Sequence, residues 1–221
     1  MKELVLIGNG KLADAIYDRF HNYSDIPVKK YVEELEVGKD TIFVHVGSGR
    51  QYYETLELAL KHGASYIQAA TEKNIQLEPP PGTGIIYIHA PNLDINIIKL
   101  FYLLRSAKGL FKDEPVTIIE SHQKEKKSQP GTALKFCDYL QVPRENIVSI
   151  RDPEYQKKLH ITNLDHHAFH RIQIGKEHSS ITIETKIEGA TSYVEGLARI
   201  VQSLPKLDNG NYEIDDLVAY L

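Results

Sequence analysis

The fold of this chain is decided near its start, where residues 4–13 read Leu4-Val5-Leu6-Ile7-Gly8-Asn9-Gly10-Lys11-Leu12-Ala13. The four apolar residues predict a buried strand. The pattern Gly-x-Gly-x-x-Ala follows at once: its first glycine permits a tight turn, its second lets a pyrophosphate approach the backbone, and its alanine allows close helix–strand packing. Apolar residues then recur at helical spacing as far as Phe20. These residues predict a Rossmann-type strand–turn–helix unit with a dinucleotide at the turn; a glycine turn without a ligand is the alternative.

Strand-like and helix-like segments alternate over the first ninety residues. Further strands are predicted at Ile26–Val32, Thr41–Val46, Ser65–Ala70 and Gly84–His89, and a helix at Gly49–His62. Such alternation indicates a parallel sheet with crossover helices. We therefore predict an α/β chain that begins with a dinucleotide-binding domain over residues 1–92.

The pattern changes after Pro91, where a long apolar helix begins at Asp94. Segments Ile147–Ile150, Phe169–Ile174 and Ser180–Ile187 alternate like half-buried antiparallel strands, and a helix is predicted over Thr191–Leu204. We predict an α+β domain over residues 93–205 that binds substrate. Its sheet is too small to bury both faces within one subunit, so a homo-oligomer built through this sheet is expected.

The end of the second strand bears on the choice of dinucleotide. Glu33 and Glu34 would hold the ribose hydroxyls of NADH, whereas Lys29 and Lys30 would attract the 2′-phosphate of NADPH. Adjacent side chains of a strand point to opposite faces, so at most one of each pair meets the ligand. All four are equally consistent with a solvated strand end. The expected cofactor is NADH or NADPH, with NADH favoured.

Composition excludes several classes of protein. The formal net charge is −4 with no long basic block, which argues against nucleic acid as a partner. No apolar segment approaches the length of a membrane span, and the first apolar run is too short for a signal peptide. The single cysteine, Cys137, fits a cytoplasmic location and a packing role. The histidines of His166-His167-x-x-His170 are interpreted as strand or loop residues, so no metal site is predicted.

A second informative stretch reads Glu120-Ser121-His122-Gln123-Lys124-Glu125-Lys126 and is followed by Pro130-Gly131-Thr132-Ala133. The apolar run before it predicts a buried strand, so His122 and Lys126 lie where that strand runs out into a loop. A helix beginning at Gly131 offers unpaired backbone N–H groups and the positive end of its dipole. Together they indicate a site for a carboxylate substrate that needs a proton. A solvated basic loop beside a capped helix is the alternative.

With a dinucleotide domain first and Glu-x-His-x-x-x-Lys…Pro-Gly-Thr-Ala after it, the chain resembles the 4-hydroxy-tetrahydrodipicolinate reductase family, long called dihydrodipicolinate reductase. The family signature is Glu-Ala-His-His-Arg-His-Lys-x-Asp-Ala-Pro-Ser-Gly-Thr-Ala. Residues 89–96 look like the family's cofactor loop, and residues 211–217 look like its terminal segment. The resemblance implies that residues 206–221 return to the nucleotide domain. It also implies NAD(P)H-dependent reduction of a dihydrodipicolinate-type cyclic imine or enamine dicarboxylate, in lysine and diaminopimelate biosynthesis, by a tetramer; the short sheet leaves a dimer open.

The resemblance also implies roles for particular residues. His122 would be a catalytic acid beside the substrate ring and Lys126 the proton donor. Gly131 and Thr132 would bind a substrate carboxylate, and Gln123, at the position of the family's second histidine, would contact the substrate. The implied cofactor-binding residues, including those of the glycine turn, are Gly8, Asn9, Gly10, Lys11, Leu12, Glu33, Val46, Gly47, Ala70, Thr71, Ala90, Pro91 and Asn92.

The chain departs from the signature at several positions. Gln123 and Glu125 replace two histidines, the loop is one residue shorter, and no serine precedes Gly131. Of the family's Gly-Thr-Thr-Gly after the fourth strand only Thr71 remains. The chain is thus a short, divergent member. Two alternatives stay open: a reductase of a different imine or enamine on the same scaffold, and a catalytically silent nucleotide-binding relative.

Overall fold

The computed structural model describes residues 2–46, 48–70, 79, 82–123 and 130–221. The chain forms two compact units. The first unit consists of Met1–Ile98 and Thr191–Leu221, and the second of Lys99–Ala190.

A six-stranded sheet forms the centre of the first unit. Its strands are β1 (Glu3–Ile7), β2 (Val28–Lys30), β3 (Thr41–His45), β4 (Ser65–Gln68), β5 (Ile86–His89) and β10 (Gly210–Glu213). All pairs are parallel, and the spatial order is β10-β5-β4-β3-β1-β2. The helices of this unit are α1 (Lys11–Arg19), α2 (Tyr52–His62) and α6 (Thr191–Ser203), with α3 (Ile95–Ser106) beginning here and ending in the second unit.

Continuous apolar strands explain why this sheet is buried on both faces. Residues 4–7 of β1 and 41–45 of β3 are buried throughout, as expected for central parallel strands. Tyrosines fill much of the space beside them, and their hydroxyls are satisfied in pairs: Tyr52 bonds Tyr87 at 2.8 Å and Tyr66 bonds Thr55 at 3.0 Å. Pairing removes most of the cost of burying these polar groups.

Helix α6 lies in a different unit from the domain predicted for it. The sequence prediction placed it in the substrate domain, whereas the structure groups it with the first unit. Its buried face, which includes Val194, Leu197 and Val201, packs beside α1. At Gly196 a β-carbon would overlap the carbonyl oxygen of Leu93, so only glycine allows the helix to lie this close. The apolar periodicity of a helix shows that one of its faces is buried. It does not show which distant element packs against that face.

The C-terminal segment also differs in detail from its prediction. The expected turn over Pro205–Asn211 gives way at residue 210 to strand β10, which pairs with β5 through Glu213 opposite His89. The helix predicted near Asp215–Tyr220 is a 3-10 helix over Ile214–Tyr220. A reciprocal capping box between Glu213 and Asp216 fixes its first turn.

The second unit has a four-stranded mixed sheet. Its strands are β6 (Val116–His122), β7 (Ile147–Ile150), β8 (His167–Lys176) and β9 (Ser179–Glu188), in the order β7-β6-β8-β9, with helices α4 (Gly131–Leu140) and α5 (Pro153–Lys158). Strands β8 and β9 are antiparallel neighbours, as predicted. The antiparallel prediction for β7 is wrong, because β7 pairs in parallel with β6. The chain crosses over through α4 between these two strands, which makes a βαβ unit.

The predicted fold class is confirmed: a parallel α/β sheet comes first and a smaller α+β sheet follows. Within the residues that the structure describes, no helix is both long enough and apolar enough to cross a membrane.

Replacing Gly196 by alanine should destabilise the first unit. Glycine to alanine inside a helix normally stabilises by about 1 kcal/mol. Here the added methyl group meets the Leu93 carbonyl, and overpacking of this kind costs about 1–3 kcal/mol. Urea denaturation followed by circular dichroism measures the change. Glu195→Ala, at the exposed neighbouring position, is the control and should stay within about 0.5 kcal/mol of wild type. If Gly196→Ala is more stable than wild type, α6 does not lie this close to the Leu93 carbonyl.

Candidate active site

The turn after β1 is shaped to receive a phosphate. Gly8 has a φ of 138°, a conformation that favours glycine, and Gly10 directly precedes α1. A β-carbon at Gly10 would meet nothing within 4 Å, so open space lies over the backbone there, while Ala13 is fully buried against the sheet. Within the described residues no side chain caps the start of α1. The first N–H groups of the helix therefore face a cradle that fits the pyrophosphate of a dinucleotide.

The lysines at the end of β2 are already engaged. Lys29 Nζ lies 2.6 Å from a carboxylate oxygen of Glu3. Lys30 Nζ lies 3.2 Å from Asp14 and 5.1 Å from the centre of the Tyr17 ring. Glu33, in the turn that follows, is exposed. A 2′-phosphate would have to compete with these carboxylates for the two lysines.

The loops after β3, β4 and β5 continue the parallel ladder by one residue each. Val46 N–H donates to Ile7 O at 2.9 Å, Ala69 N–H to His45 O at 2.8 Å, and Ala90 N–H to Gln68 O at 2.7 Å. These bonds fix the backbone of residues 46, 69–70 and 90 at one edge of the sheet. Ligands of open parallel sheets bind outside this edge, where the strand order reverses around β1.

The loop over Ala90, Pro91 and Asn92 is fixed by its own side chains. Asn92 is buried, and its side-chain oxygen accepts from Asp94 N–H at 2.8 Å. Asp94 in turn caps α3 by accepting from the N–H groups of residues 96 and 97, at 3.0 Å each. The backbone of this loop, rather than the Asn92 amide, is therefore the part presented to a ligand.

Two residues beneath this edge were not found from the sequence. His45 and Gln68 are almost completely buried at the ends of β3 and β4. His45 Nδ1 lies 3.0 Å from Gln68 Oε1, and Gln68 also holds both the N–H and the carbonyl of Ala70. The sequence feature that could have identified them is that two neighbouring buried strands, β3 and β4, each end in a polar residue.

In the second unit, His122 is the last residue of β6 and is almost fully buried. Its Nδ1 lies 2.6 Å from Glu120 Oε2. Arg151, just after β7, binds both oxygens of the same carboxylate, with Nη2 at 2.8 Å and Nη1 at 3.2 Å. Because β6 and β7 are parallel, the ends of the two strands lie together, and that geometry brings Arg151 to Glu120.

Glu120 is ionised despite its burial. Burial alone would raise the pKa of this carboxyl group, but hydrogen bonds from His122, Arg151 and Ser149 outweigh it and lower the pKa from 4.5 to about 2. An ionised Glu120 accepts from His122 Nδ1–H, which fixes the orientation of the ring.

A second histidine lies beside His122 on the same face of the sheet. The rings of His122 and His170 are edge to face with centroids 5.7 Å apart, and Phe136 of α4 packs against His170 at 5.5 Å. His170 Nδ1 lies 3.3 Å from the hydroxyl of Thr185. The sequence had placed His170 only as a strand residue, without a role.

His167 occupies the opposite face of the sheet. Its Nε2 accepts from the Ser121 hydroxyl at 3.0 Å, and its Nδ1 donates to Asn163 O. Burial lowers the pKa of His167, so the ring is a neutral structural group. Over the part of the chain that the structure describes, no three His, Cys, Asp or Glu residues are arranged to hold a metal ion.

The predicted carboxylate-binding segment begins a helix. Pro130 precedes the first helical residue, Gly131, and no side chain caps this end within the described residues. Thr132 is buried and Gln123 is partly exposed. The predicted residues Lys126, Gly47 and Thr71 lie outside the described residues. The structure thus places the glycine turn with the loops after β3, β4 and β5 in one unit, and His122, Gln123, Gly131 and Thr132 in the other.

Comparison with known proteins identifies relatives of the chain. The family model "Dihydrodipicolinate reductase, C-terminus" matches residues 96–218, more than half of the 221 residues. The 4-hydroxy-tetrahydrodipicolinate reductase of Rickettsia akari (strain Hartford) is 25% identical over 175 residues, which cover 75% of this chain and 71% of that protein. Its counterpart from Rickettsia canadensis (strain McKiel) is 20% identical and covers 94% of both chains.

Two solved structures share the fold. A dipicolinate-bound dihydrodipicolinate reductase from Paenisporosarcina sp. TG-14 superposes with a TM-score of 0.65 at 16% identity, covering 98% of this chain and 100% of that one. Aspartate dehydrogenase from Thermotoga maritima superposes with a TM-score of 0.52 at 14% identity, covering 92% and 97%.

Fold and relatives together define the class: the chain is an NAD(P)H-dependent oxidoreductase. It belongs to the dihydrodipicolinate reductase family, as the sequence signature predicted.

Removing Arg151 should destabilise the second unit strongly at neutral pH. Arg151→Ala leaves the buried Glu120 carboxylate without its guanidinium, and breaking a buried pair costs about 3–5 kcal/mol. We expect a loss of stability at the low end of this range, because 27% of the Arg151 side chain is exposed to solvent. Glu120 has a folded pKa below its unfolded value, so its contribution is present above pH 4.5 and lost as the pH falls towards 2. The difference between variant and wild type should therefore shrink over that range.

Arg171→Ala is the matched control for this measurement. Arg171 also binds a glutamate, Glu184, at 2.8 Å in the same sheet, but the Glu184 side chain is 43% exposed whereas that of Glu120 is fully buried. Its removal should cost no more than about 1 kcal/mol. Equal losses from the two arginine variants in chemical denaturation would contradict the account of Glu120.

Proposed function

We propose that the chain reduces a dihydrodipicolinate-type cyclic imine or enamine dicarboxylate with NAD(P)H, as a step of lysine and diaminopimelate biosynthesis. The observation that carries the proposal is His122, held at the end of β6 by an ionised Glu120 within the family signature.

The open turn after β1 supports the nucleotide half of the proposal. The glycine turn and the loops after β3, β4 and β5 would hold the dinucleotide, which supplies the hydride when bound. Residues proposed to bind it are Gly8, Asn9, Gly10, Lys11, Leu12, Glu33, Val46, Gly47, Ala70, Thr71, Ala90, Pro91 and Asn92. NADH is the proposed preference, because Lys29 and Lys30 are engaged by Glu3 and Asp14.

The proton is proposed to come from Lys126, with His122 helping to place the substrate. His122 keeps Nδ1–H on Glu120, so Nε2 is the atom that meets substrate, either as a proton donor or as a hydrogen-bond donor to a carboxylate. Arg151 also binds the Glu120 carboxylate and keeps it ionised beside His122.

The substrate carboxylate is proposed to bind at the start of α4. The N–H groups of the first helical turn and the Thr132 hydroxyl would donate to it, and the helix dipole favours negative charge there. Gln123 would contact substrate where the family has a second histidine.

A second candidate is reduction of a different imine or enamine on the same scaffold. Gln123 and the missing serine before Gly131 support it, because both changes fall on proposed substrate contacts while His122 and Thr132 are retained. A catalytically silent relative is less well supported, since the buried Glu120–Arg151 pair orients the proposed catalytic histidine.

The second unit is also the proposed surface for self-association, into a homotetramer or a homodimer. Its sheet ends at β9, whose outward residues are largely exposed, and Ile181 and Val148 keep 49% and 47% of their exposure. Exposed apolar residues on a small sheet suit burial against a second copy.

NADH binding should depend on Gly10. Gly10 has an ordinary negative φ and free space around its β-carbon position, so Gly10→Val should fold normally while its side chain fills the space over the turn. NADH affinity measured by calorimetry should fall at least tenfold, since losing a charge-assisted hydrogen bond already costs about 1.5–3 kcal/mol. Gly38→Val, at a second exposed glycine with free space, is the control and should bind like wild type. A folded Gly10→Val protein with unchanged affinity would sink the nucleotide site.

The proposed reaction predicts different kinetic losses at three positions. Lys126→Ala should lower kcat by about 10²–10⁴-fold with little change in NADH affinity, as expected for a lost proton transfer. His122→Ala should harm both kcat and substrate KM. Thr132→Ala should act mainly on KM, through one hydrogen bond of about 1 kcal/mol.

A coupled assay tests both the reaction and the variants. Aspartate semialdehyde, pyruvate and the preceding synthase generate the substrate, and NADH oxidation is followed. His166→Ala, on the loop before β8, is a control that should leave kcat and KM unchanged. If Lys126→Ala keeps the wild-type kcat, the assigned proton donor is wrong. If wild type oxidises neither NADH nor NADPH here, the second candidate function replaces the first.

A further inference from the structure

A second loop at the nucleotide edge has the same order of residue types as the glycine turn. In the sequence, Gly47-Ser48-Gly49-Arg50 follows β3 as Gly8-Asn9-Gly10-Lys11 follows β1. The two strands are parallel neighbours with Ile7 opposite His45. Because parallel strands end at the same edge of a sheet, Lys11 and Arg50 both follow that edge.

Arg50 is held from two sides. Its carbonyl oxygen lies 3.1 Å from His45 Nε2, and its Nε donates to the Ser48 hydroxyl at 3.0 Å. The first bond ties the loop backbone to the interior, and the second directs the guanidinium. A bond at Nε still leaves the two Nη groups of the fork to bind another acceptor.

The charges at this edge distinguish Arg50 from the two lysines of β2. Lys29 and Lys30 are paired with Glu3 and Asp14. Within residues 2–46, 48–70 and the other described ranges, no carboxylate forms an ion pair with the exposed Arg50. An unneutralised guanidinium with a fixed direction is suited to a phosphate.

The alternative is that the Arg50 side chain contacts only solvent. The buried residues beneath its loop, His45 and Gln68, argue against this. Burying the side chains of His45 and Gln68 is costly unless every polar atom is paired. Here each polar side-chain atom of the two residues has a polar neighbour within hydrogen-bond distance only because the Arg50 carbonyl and the Ala70 backbone take part. The buried network thus holds the loop backbone at Arg50 in one position, which a solvated arginine would not need.

We propose that Arg50 contacts a phosphate of the bound dinucleotide and that His45 is the residue that positions it. This inference rests on the proposed nucleotide site. The phosphate is either the diphosphate bridge, common to NADH and NADPH, or the 2′-phosphate, present in NADPH alone; comparison of the two nucleotides separates these sources.

Arg50→Gln tests the contact. Calorimetry should show about tenfold weaker binding, the loss expected when one charge-assisted hydrogen bond to phosphate is removed. Loss with both nucleotides assigns the diphosphate, and loss with NADPH alone assigns the 2′-phosphate. Nucleotide affinity should also depend less steeply on the sodium chloride concentration in Arg50→Gln than in wild type, because the variant lacks one ion pair that salt screens. Arg19→Gln, at the far end of α1, removes the same charge and should change neither result.

His45→Asn tests the positioning role. Asparagine keeps a donor for Gln68 Oε1 but lacks one for the Arg50 carbonyl, so affinity should fall, and the fall should disappear when Arg50 is already glutamine. Additive losses in the double variant would overturn the positioning role. If His45→Asn does not fold, His45→Gln replaces it with the same two expectations: weaker binding when Arg50 is present, and no further loss when Arg50 is already glutamine.

The outcomes also separate this inference from the proposed function. Unchanged affinity and salt dependence in Arg50→Gln, while Gly10→Val loses binding, would overturn the inference and leave the nucleotide site standing. A wild-type protein that binds neither NADH nor NADPH would overturn both.

Discussion

Parallel strand pairing is the constraint on which both proposed sites depend. Parallel strands joined by crossovers end at one edge of a sheet, so residues that are far apart in sequence become neighbours wherever two strands stop together. In the first unit this brings the turn after β1 beside the loops after β3 and β4. In the second unit it brings Arg151, which follows β7, to Glu120 near the end of β6. The antiparallel strand β8 then adds His170 from the other side.

At both edges a buried polar network turns this proximity into fixed geometry. His45 and Gln68 hold two loop backbones, and Glu120 with Arg151 holds the ring of His122. Such groups are costly to bury unless every partner is present, so each network tolerates few arrangements. A network that permits one arrangement orients the exposed group next to it, which is what a binding loop or an acid–base residue needs.

The sequence predicted what is local and missed what is not. The glycine turn and its flanking strand and helix are recognisable because ten consecutive residues carry the pattern. The sheet of the second unit was predicted, but β7 was given the wrong direction, since short alternating strands look alike in either pairing. Arg151 was missed because its partner lies 31 residues earlier. Helix α6 was placed in the other domain, because amphipathic periodicity shows that a helix has a buried face and not which element covers it.

The second unit can keep the orientation of His122 although its sequence departs from the family signature. The proposed substrate contacts, Gln123 and the segment before Gly131, lie on the loop where the chain departs from its family. The groups that orient His122 lie elsewhere: Glu120 within the strand, and Arg151 after the neighbouring strand. Substitution on the loop therefore leaves the buried carboxylate and its partners untouched. The proposed substrate contacts and the groups that orient His122 therefore lie on separate parts of the chain, so one set can change in evolution while the other is kept.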